Sequence, residues 1–262
     1  MPEFIKRIKK ALRRSPAISK QLNLARFLAE EAWFATWVTV APKKFMDESH
    51  HRHSWDFSSP YSQKWHSRVL DVVAEQVGNT EWGNALEIGC SEGIFTSYLA
   101  SRCRSINACD ISPVALQSAS ARCAQFPNVG FTLLDLVEND IRGKYDLVFA
   151  MDILSCIRGR RRLLSAISKL VGALHDGGKF IYTDNSMPLE ILRSWGSKRW
   201  WSPVLAIMEP DECVAFIENR FPLKVVHREE YHPDLEGGRD ELIAIFEKIP
   251  AKLHSGDSQR TA

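Results

Sequence analysis

The sequence lacks paired cysteines: Cys90, Cys103, Cys109, Cys123, Cys156 and Cys213 are scattered, and none forms a Cys-x-x-Cys motif. Several lie beside apolar neighbours in strand- or helix-like stretches, so they read as reduced, mostly buried thiols of a cytoplasmic protein. No run reaches the roughly 20 apolar residues that a transmembrane helix needs. The longest uncharged N-terminal stretch, Ala32–Pro42, is too short to span. The charged N-terminus is not followed by the apolar core and cleavage site of a secretory signal. Net charge is also scarce: 34 Lys and Arg against 32 Asp and Glu leave +2, which argues against a nucleic-acid binder as a whole. There is no internal repeat. What is present is 262 residues with 45% hydrophobic composition, enough for one full α/β core and an appendage.

The charge is unevenly placed. Lys6, Arg7, Lys9, Lys10, Arg13 and Arg14 crowd the N-terminus, and Arg158, Arg160, Arg161 and Arg162 form a second cluster. Phe4–Arg14 has Phe4, Ile5, Ile8 and Leu12 on one helical face and basic residues on the other. Gln21–Val40 reads as a second helix, Ala41–Ser54 as a polar loop, and Pro60–Val77 as a helix carrying Trp65, Val69 and Val73 at helical spacing. From Asn84 the rhythm turns to strand–helix alternation. Strands are expected at Asn84–Ile88, Ser105–Cys109, Val129–Leu134, Tyr145–Ala150, Gly178–Thr183, Leu223–Tyr231 and Leu242–Glu247. Helices are expected at Gly93–Ser101, Pro113–Cys123, Asn139–Arg142, Arg161–Leu174, Met187–Trp195 and Pro210–Asn219. Crossovers behind the first five strands predict a parallel sheet. The last two strands lack a helix between them, and Gly237-Gly238 suits a hairpin connection, so one antiparallel strand is expected near the C-terminus.

Residues Ala85–Asp110 carry the most information. A short apolar strand runs into Gly89 and Gly93, and a second apolar stretch closes on Asp110. Doubly wound α/β folds build nucleoside pockets this way: glycines admit close backbone approach, and a carboxylate at the end of the second strand bonds the ribose hydroxyls. A dinucleotide is disfavoured. Its loop is Gly-x-Gly-x-x-Gly opening a helix toward a diphosphate, whereas this loop has only Gly89 and Gly93 and places Glu92 where an anion would sit.

Four landmarks in order resemble the class I S-adenosylmethionine-dependent methyltransferases. They are Leu86-Glu87-Ile88-Gly89-Cys90-Ser91-Glu92-Gly93, Asp110-Ile111-Ser112, Leu134-Asp135-Leu136, and Tyr145-Asp146-Leu147-Val148-Phe149-Ala150 followed by His175-Asp176-Gly177-Gly178. The resemblance covers about Ala85 to Lys248. The wording around Ser91 and Asp110 is similar to the nodulation-type N-methyltransferase branch and neighbouring small-molecule methyltransferases. The resemblance implies a Rossmann-like doubly wound α/β fold: a seven-stranded, mostly parallel sheet with a helical N-terminal extension. Residues 1–58 would form that extension, 59–250 the methyltransferase domain and 251–262 a polar tail. It also implies a cofactor site. Gly89, Cys90 and Gly93 would lie along the methionine part, with Glu87 at its amino-acid end. Asp110 would take the ribose hydroxyls, Asp135 the adenine amino group, and Ile111 and Leu136 would flank the ring. Met151 would border the reactive methyl. Ser91 stands where the family has its middle glycine, and its side chain could crowd the ligand or bond its carboxylate.

Methyl transfer from a sulfonium to an O or N atom is an in-line displacement with a good leaving group, so alignment and exclusion of water matter most. Candidate bases are Asp152, Tyr61 and a histidine from His50, His51, His53 or His66. Asp152 reads equally well as a turn cap or a cofactor contact. A divalent ion on His50, His51 and His53 with Asp47 and Glu48 is the lesser reading of that cluster; solvated loop histidines are commoner, and no metal is expected. Trp195, Trp200 and Trp201, with Trp55 and Phe57, suit either an acceptor lid or core packing. The expected acceptor is a small molecule: a sugar, a lipid-linked compound or a secondary metabolite. Ala150-Met151-Asp152-Ile153 stands where DNA-base methylases carry Asn-Pro-Pro-Tyr. The alternatives are an RNA methyltransferase, favoured by the basic clusters alone, and an inactive cofactor-binding regulator at a membrane. Residues 4–14 fit a solvated helix, peripheral contact with an anionic membrane, or an acidic partner. No motif names the acceptor atom or an oligomeric state.

Overall fold

The computed structural model describes residues 41, 43–44, 46–47, 60–78, 81–157, 160–185, 210–231 and 241–250. Several expectations lie outside these residues: the helices at 4–14, 21–40 and 187–195, the His50–His53 cluster, Trp55, Phe57, Trp195, Trp200, Trp201, Arg158, the Gly237-Gly238 connection and the tail. The side chain of Tyr61 is outside them too.

Helix α1 (Pro60–Val77) leads into a seven-stranded sheet. Its elements are β1 (Trp82–Ile88), α2 (Ile94–Ala100), β2 (Cys103–Asp110), α3 (Pro113–Arg122), β3 (Val129–Leu133), β4 (Tyr145–Met151), α4 (Arg160–Ala173), β5 (Leu174–Asn185), α5 (Pro210–Glu218), β6 (Leu223–Tyr231) and β7 (Glu241–Lys248). The strand order is β3-β2-β1-β4-β5-β7-β6. β1 to β5 pair in parallel, and β7 lies antiparallel between β5 and β6, so the expectation of one antiparallel strand holds.

The central strands are near-continuous apolar runs because both sheet faces are covered. Alternate residues go to opposite sides. Leu86, Val148, Phe180 and Phe246 pack with Ile167 and Leu170 of α4 and Ile217 of α5. Ala85, Phe149, Ile181 and Ile245 pack with Trp65, Val69 and Val73 of α1 and Leu99 of α2.

Three details depart from the sequence expectations. Asn139–Arg142 is not a helix. Asp135 instead nucleates a turn, its Oδ1 accepting the N–H of Val137 at 2.9 Å and Asn139 Oδ1 accepting the N–H of Asp135 at 2.9 Å. Such side-chain bonds compete with helix formation, and Lys169 of α4 fastens this turn by donating to the carbonyls of Leu136, Val137 and Asn139. The expected 41–54 loop contains helical backbone at Lys43, Lys44, Met46 and Asp47, held by a tertiary bond from Ser112 to Asp47. β5 starts at Leu174 rather than Gly178. The His175–Gly178 turn is absorbed as an irregularity in pairing with β4, because Tyr145 still pairs with Leu174 before the register shifts.

Candidate active site

The strand order reverses between β1 and β4, and ligands of doubly wound folds bind at the carboxyl ends of the strands at that point. β1 ends at Ile88, and the N–H groups of Gly89 and Cys90 both donate to Cys109 O, at 2.8 and 3.0 Å. The turn therefore stays tied to β2 while it leaves the sheet. Gly89 and Gly93 have φ of 78° and 76°. A Cβ on Gly93 would stand 2.8 Å from Ala119 Cα of α3, and one on Gly89 would stand 2.1 Å from Ile153 Cδ1. Both glycines thus permit close approach by this chain's own Ala119 and Ile153.

Ser91 also adopts the left-handed conformation, at φ 49°, which costs a non-glycine residue about 1–2 kcal/mol. Its N–H donates to Asp110 Oδ2 at 2.9 Å, and its buried hydroxyl has no partner among the described residues. Asp110 Oδ1 accepts the N–H of Ser112 at 2.8 Å. One carboxylate, 7% exposed, therefore joins the glycine turn to the start of α3.

Glu87 points to the α1–α2 face from the penultimate position of β1 and is 4% exposed. Its Oε2 has no hydrogen-bond partner among the described residues. Burial raises its carboxyl to about 7; the neighbouring Thr96 hydroxyl opposes this, and the Asp110 charge adds to it. The titratable groups around it are Asp110 and the thiols of Cys90, Cys103, Cys109 and Cys123, each of which burial pushes up and keeps protonated. One buried Glu87 oxygen and the buried Ser91 hydroxyl, neither with a partner among the described residues and both on residues next to Asp110, suit a ligand end that carries both an ammonium and a carboxylate.

Asp152 follows β4 with φ 54°. Its N–H donates to Thr183 O at 3.1 Å, and its Oδ1 accepts from the Thr183 hydroxyl at 3.2 Å. Met151 and Ile111 are half-buried and Leu136 is buried. The Cys90 side chain is buried in the core, so this residue offers the site its backbone. His66 is 5% exposed, packs on Phe95 and Tyr98, and is held by burial at about 4, neutral at physiological pH. Thr96, Thr183 and Lys169 bear on the site without any signal in the sequence. Ser112 did carry one, since Ser-Pro before a helical run marks an N-cap.

The nodulation protein S family model matches residues 43–222. The chain belongs to that family. It is 28% identical over 146 residues to nodulation protein S of Azorhizobium caulinodans, covering 55% of this chain and 68% of that one. It is 27% identical over 163 residues to that of Bradyrhizobium diazoefficiens, covering 62% and 75%. The fold superposes with TM-score 0.64 on the N-methyltransferase NodS of Bradyrhizobium japonicum WM9, solved with S-adenosyl-L-homocysteine, at 21% identity over 79% of this chain and 97% of that one. As a member of the NodS family the chain is an S-adenosylmethionine-dependent methyltransferase acting on a small-molecule acceptor. The RNA-methylating and inactive-regulator alternatives are not favoured. Among the described residues no helix is long and apolar enough to cross a membrane.

Proposed function

We propose that the chain moves the methyl group of S-adenosylmethionine to an amine nitrogen of its acceptor, in a catalytic domain of residues 59–250 with residues 1–58 as an N-terminal extension. The observation that carries this reading is the grouping of Asp110 with Glu87 and Ser91, whose buried Oε2 and Oγ have no partner among the described residues. Glu87 meets the ammonium and Ser91 the carboxylate of the cofactor, Asp110 takes both ribose hydroxyls, and Asp135 takes the adenine amino group between Ile111 and Leu136. Gly89, Cys90 and Gly93 supply the loop backbone, and Met151 borders the methyl.

The bound cofactor supplies an electrophilic methyl on a sulfonium with a neutral thioether as leaving group. What the chain must provide is therefore alignment and exclusion of water. Asp152, braced against Thr183, holds the acceptor nitrogen and takes the proton it sheds as the N–C bond forms and the C–S bond breaks. Tyr61 is the second candidate for that proton. An amine is preferred over a hydroxyl because it needs no stronger base than a carboxylate, and because the structural neighbour from Bradyrhizobium japonicum is an N-methyltransferase.

Calorimetric titration with S-adenosylhomocysteine tests the site. The wild type binds, and Asp110→Ala weakens binding about tenfold or more, as expected for loss of charge-assisted bonds. Absence of heat with the wild type overturns the assignment. Methyl release with a panel of amines and alcohols decides the acceptor atom, and full turnover by Asp152→Asn removes Asp152 from the mechanism. Peripheral contact of residues 4–14 with an anionic membrane belongs to the same proposal on charge pattern alone. Failure to float with anionic vesicles at low salt removes it.

A further inference from the structure

Ser112 makes three hydrogen bonds. Its N–H donates to Asp110 Oδ1 at 2.8 Å, its Oγ accepts the N–H of Ala115 at 3.2 Å, and its hydroxyl donates to Asp47 Oδ1 at 2.5 Å. The residue is wholly buried. The first two bonds are local, for they cap α3 and hold the carboxylate at the end of β2. The third reaches 65 residues back, to the short helical segment containing Lys43, Lys44 and Met46.

The element that Ser112 caps is braced at its far end as well. Arg122 Nε donates to Glu92 O at 2.9 Å, Cys123 Sγ contacts Gly93 O at 3.5 Å, and Ala119 lies against Gly93 so closely that no Cβ fits there. α3 is therefore a strut between the glycine turn and Asp110, and Asp110 itself accepts the N–H of Ser91 from that turn. A shift of Ser112 moves the ribose carboxylate and the loop that faces it together.

We propose that Asp47 is a positioning residue for the ribose of the cofactor, acting through Ser112 on Asp110. The N-terminal segment is thereby joined to the adenosine end of the site by one charge-assisted hydrogen bond. A carboxylate fits this position well. Its oxygen accepts the only proton of a hydroxyl whose lone pair already serves the helix cap, so the hydroxyl has one orientation. The proposal rests on the assignment of Asp110 to the ribose. The informative variants are at Asp47 because Ser112→Ala would also remove the cap of α3.

The full chain is titrated by calorimetry with S-adenosylhomocysteine and with its 2′,3′-dideoxyribose analogue, which lacks both hydroxyls assigned to Asp110. Asp47→Ala is expected to weaken the first about tenfold and the second less than about twofold, since the loss falls on the ribose bonds. Asp47→Asn, whose amide oxygen still accepts from Ser112, is expected to stay within about threefold of the wild type. In turnover assays Asp47→Ala raises KM for the cofactor and leaves kcat at saturation unchanged. Equal weakening of both ligands means a general folding role and overturns the proposal, as does unchanged affinity for S-adenosylhomocysteine. A wild type that binds neither ligand overturns the cofactor assignment itself, and is told apart by that result.

Discussion

Glu87 and His66 are buried on the same face of the sheet, and their titrations act on stability in opposite directions. Glu87 is raised from 4.5 to about 7, so the folded protein keeps a proton that the unfolded chain has released. Its contribution to stability is complete below about pH 4.5 and is lost as pH rises through about 7. His66 is lowered from 6.5 to about 4. Its contribution is present above about pH 6.5 and is lost as pH falls through about 4. The two slopes therefore oppose each other from about pH 4.5 to about pH 6.5. Chemical denaturation across this window separates them. Glu87→Gln should gain stability relative to wild type as pH rises toward about 7, and His66→Leu should gain it as pH falls toward about 4. A wild-type-like pH profile in either variant contradicts the corresponding assignment. In the proposed site the cofactor ammonium would favour the ionised Glu87, so binding is expected to release a proton and affinity to rise with pH up to about 7. Glu87→Gln abolishes that slope.

At the level of elements, the glycine turn and α3 stand or fall together. Gly93 is the N-cap of α2 in left-handed conformation and presses against the backbone of Ala119. Gly93→Ala meets both a conformational penalty and a 2.8 Å contact with a main-chain atom that cannot rotate away. A loss of about 2 kcal/mol or more is expected in urea denaturation, together with weaker cofactor binding. The corresponding clash at Gly89 is with the end of a flexible side chain, Ile153 Cδ1, so the packing cost of Gly89→Ala is smaller. The turn after β3 shows another kind of control. Three carbonyls there are gathered by Lys169, a residue 30 or more positions away, and this tertiary bond supports the loop carrying Asp135 and Leu136.

For the molecule as a whole, one sheet separates two apolar layers. Ile167 belongs to the α4 side and Ile181 to the α1–α2 side, and both are fully buried. Ile→Val at either position should cost about 0.5–1.5 kcal/mol. The double variant should cost their sum within about 0.5 kcal/mol, because the changes lie on opposite faces and share no cavity. A larger deviation in guanidinium unfolding would mean that strain passes through the sheet. The strand order places the cofactor turn, the Asp110 corner and Asp152 at one end of this sheet. Glu87, Asp110 and Asp152, far apart in the chain, thereby come to the carboxyl ends of three adjacent strands.

Local signals in the chain carried the alternation of strands and helices, the glycine turn, Asp110 at the end of β2 and the single reversed strand, because each depends on neighbouring residues, on hydrophobic period or on connection length. Asn139–Arg142 shows where that information stops: helix and Asx turn were both open to those residues, and bonds from Asp135 and Lys169 chose the turn. The unpartnered Oε2 of Glu87 among the described residues, the use of Gly93 against Ala119 and the bond from Ser112 to Asp47 depend on which distant atoms meet. Burial, charge state and hydrogen-bond satisfaction belong to the assembled packing, and no short stretch of residues encodes them.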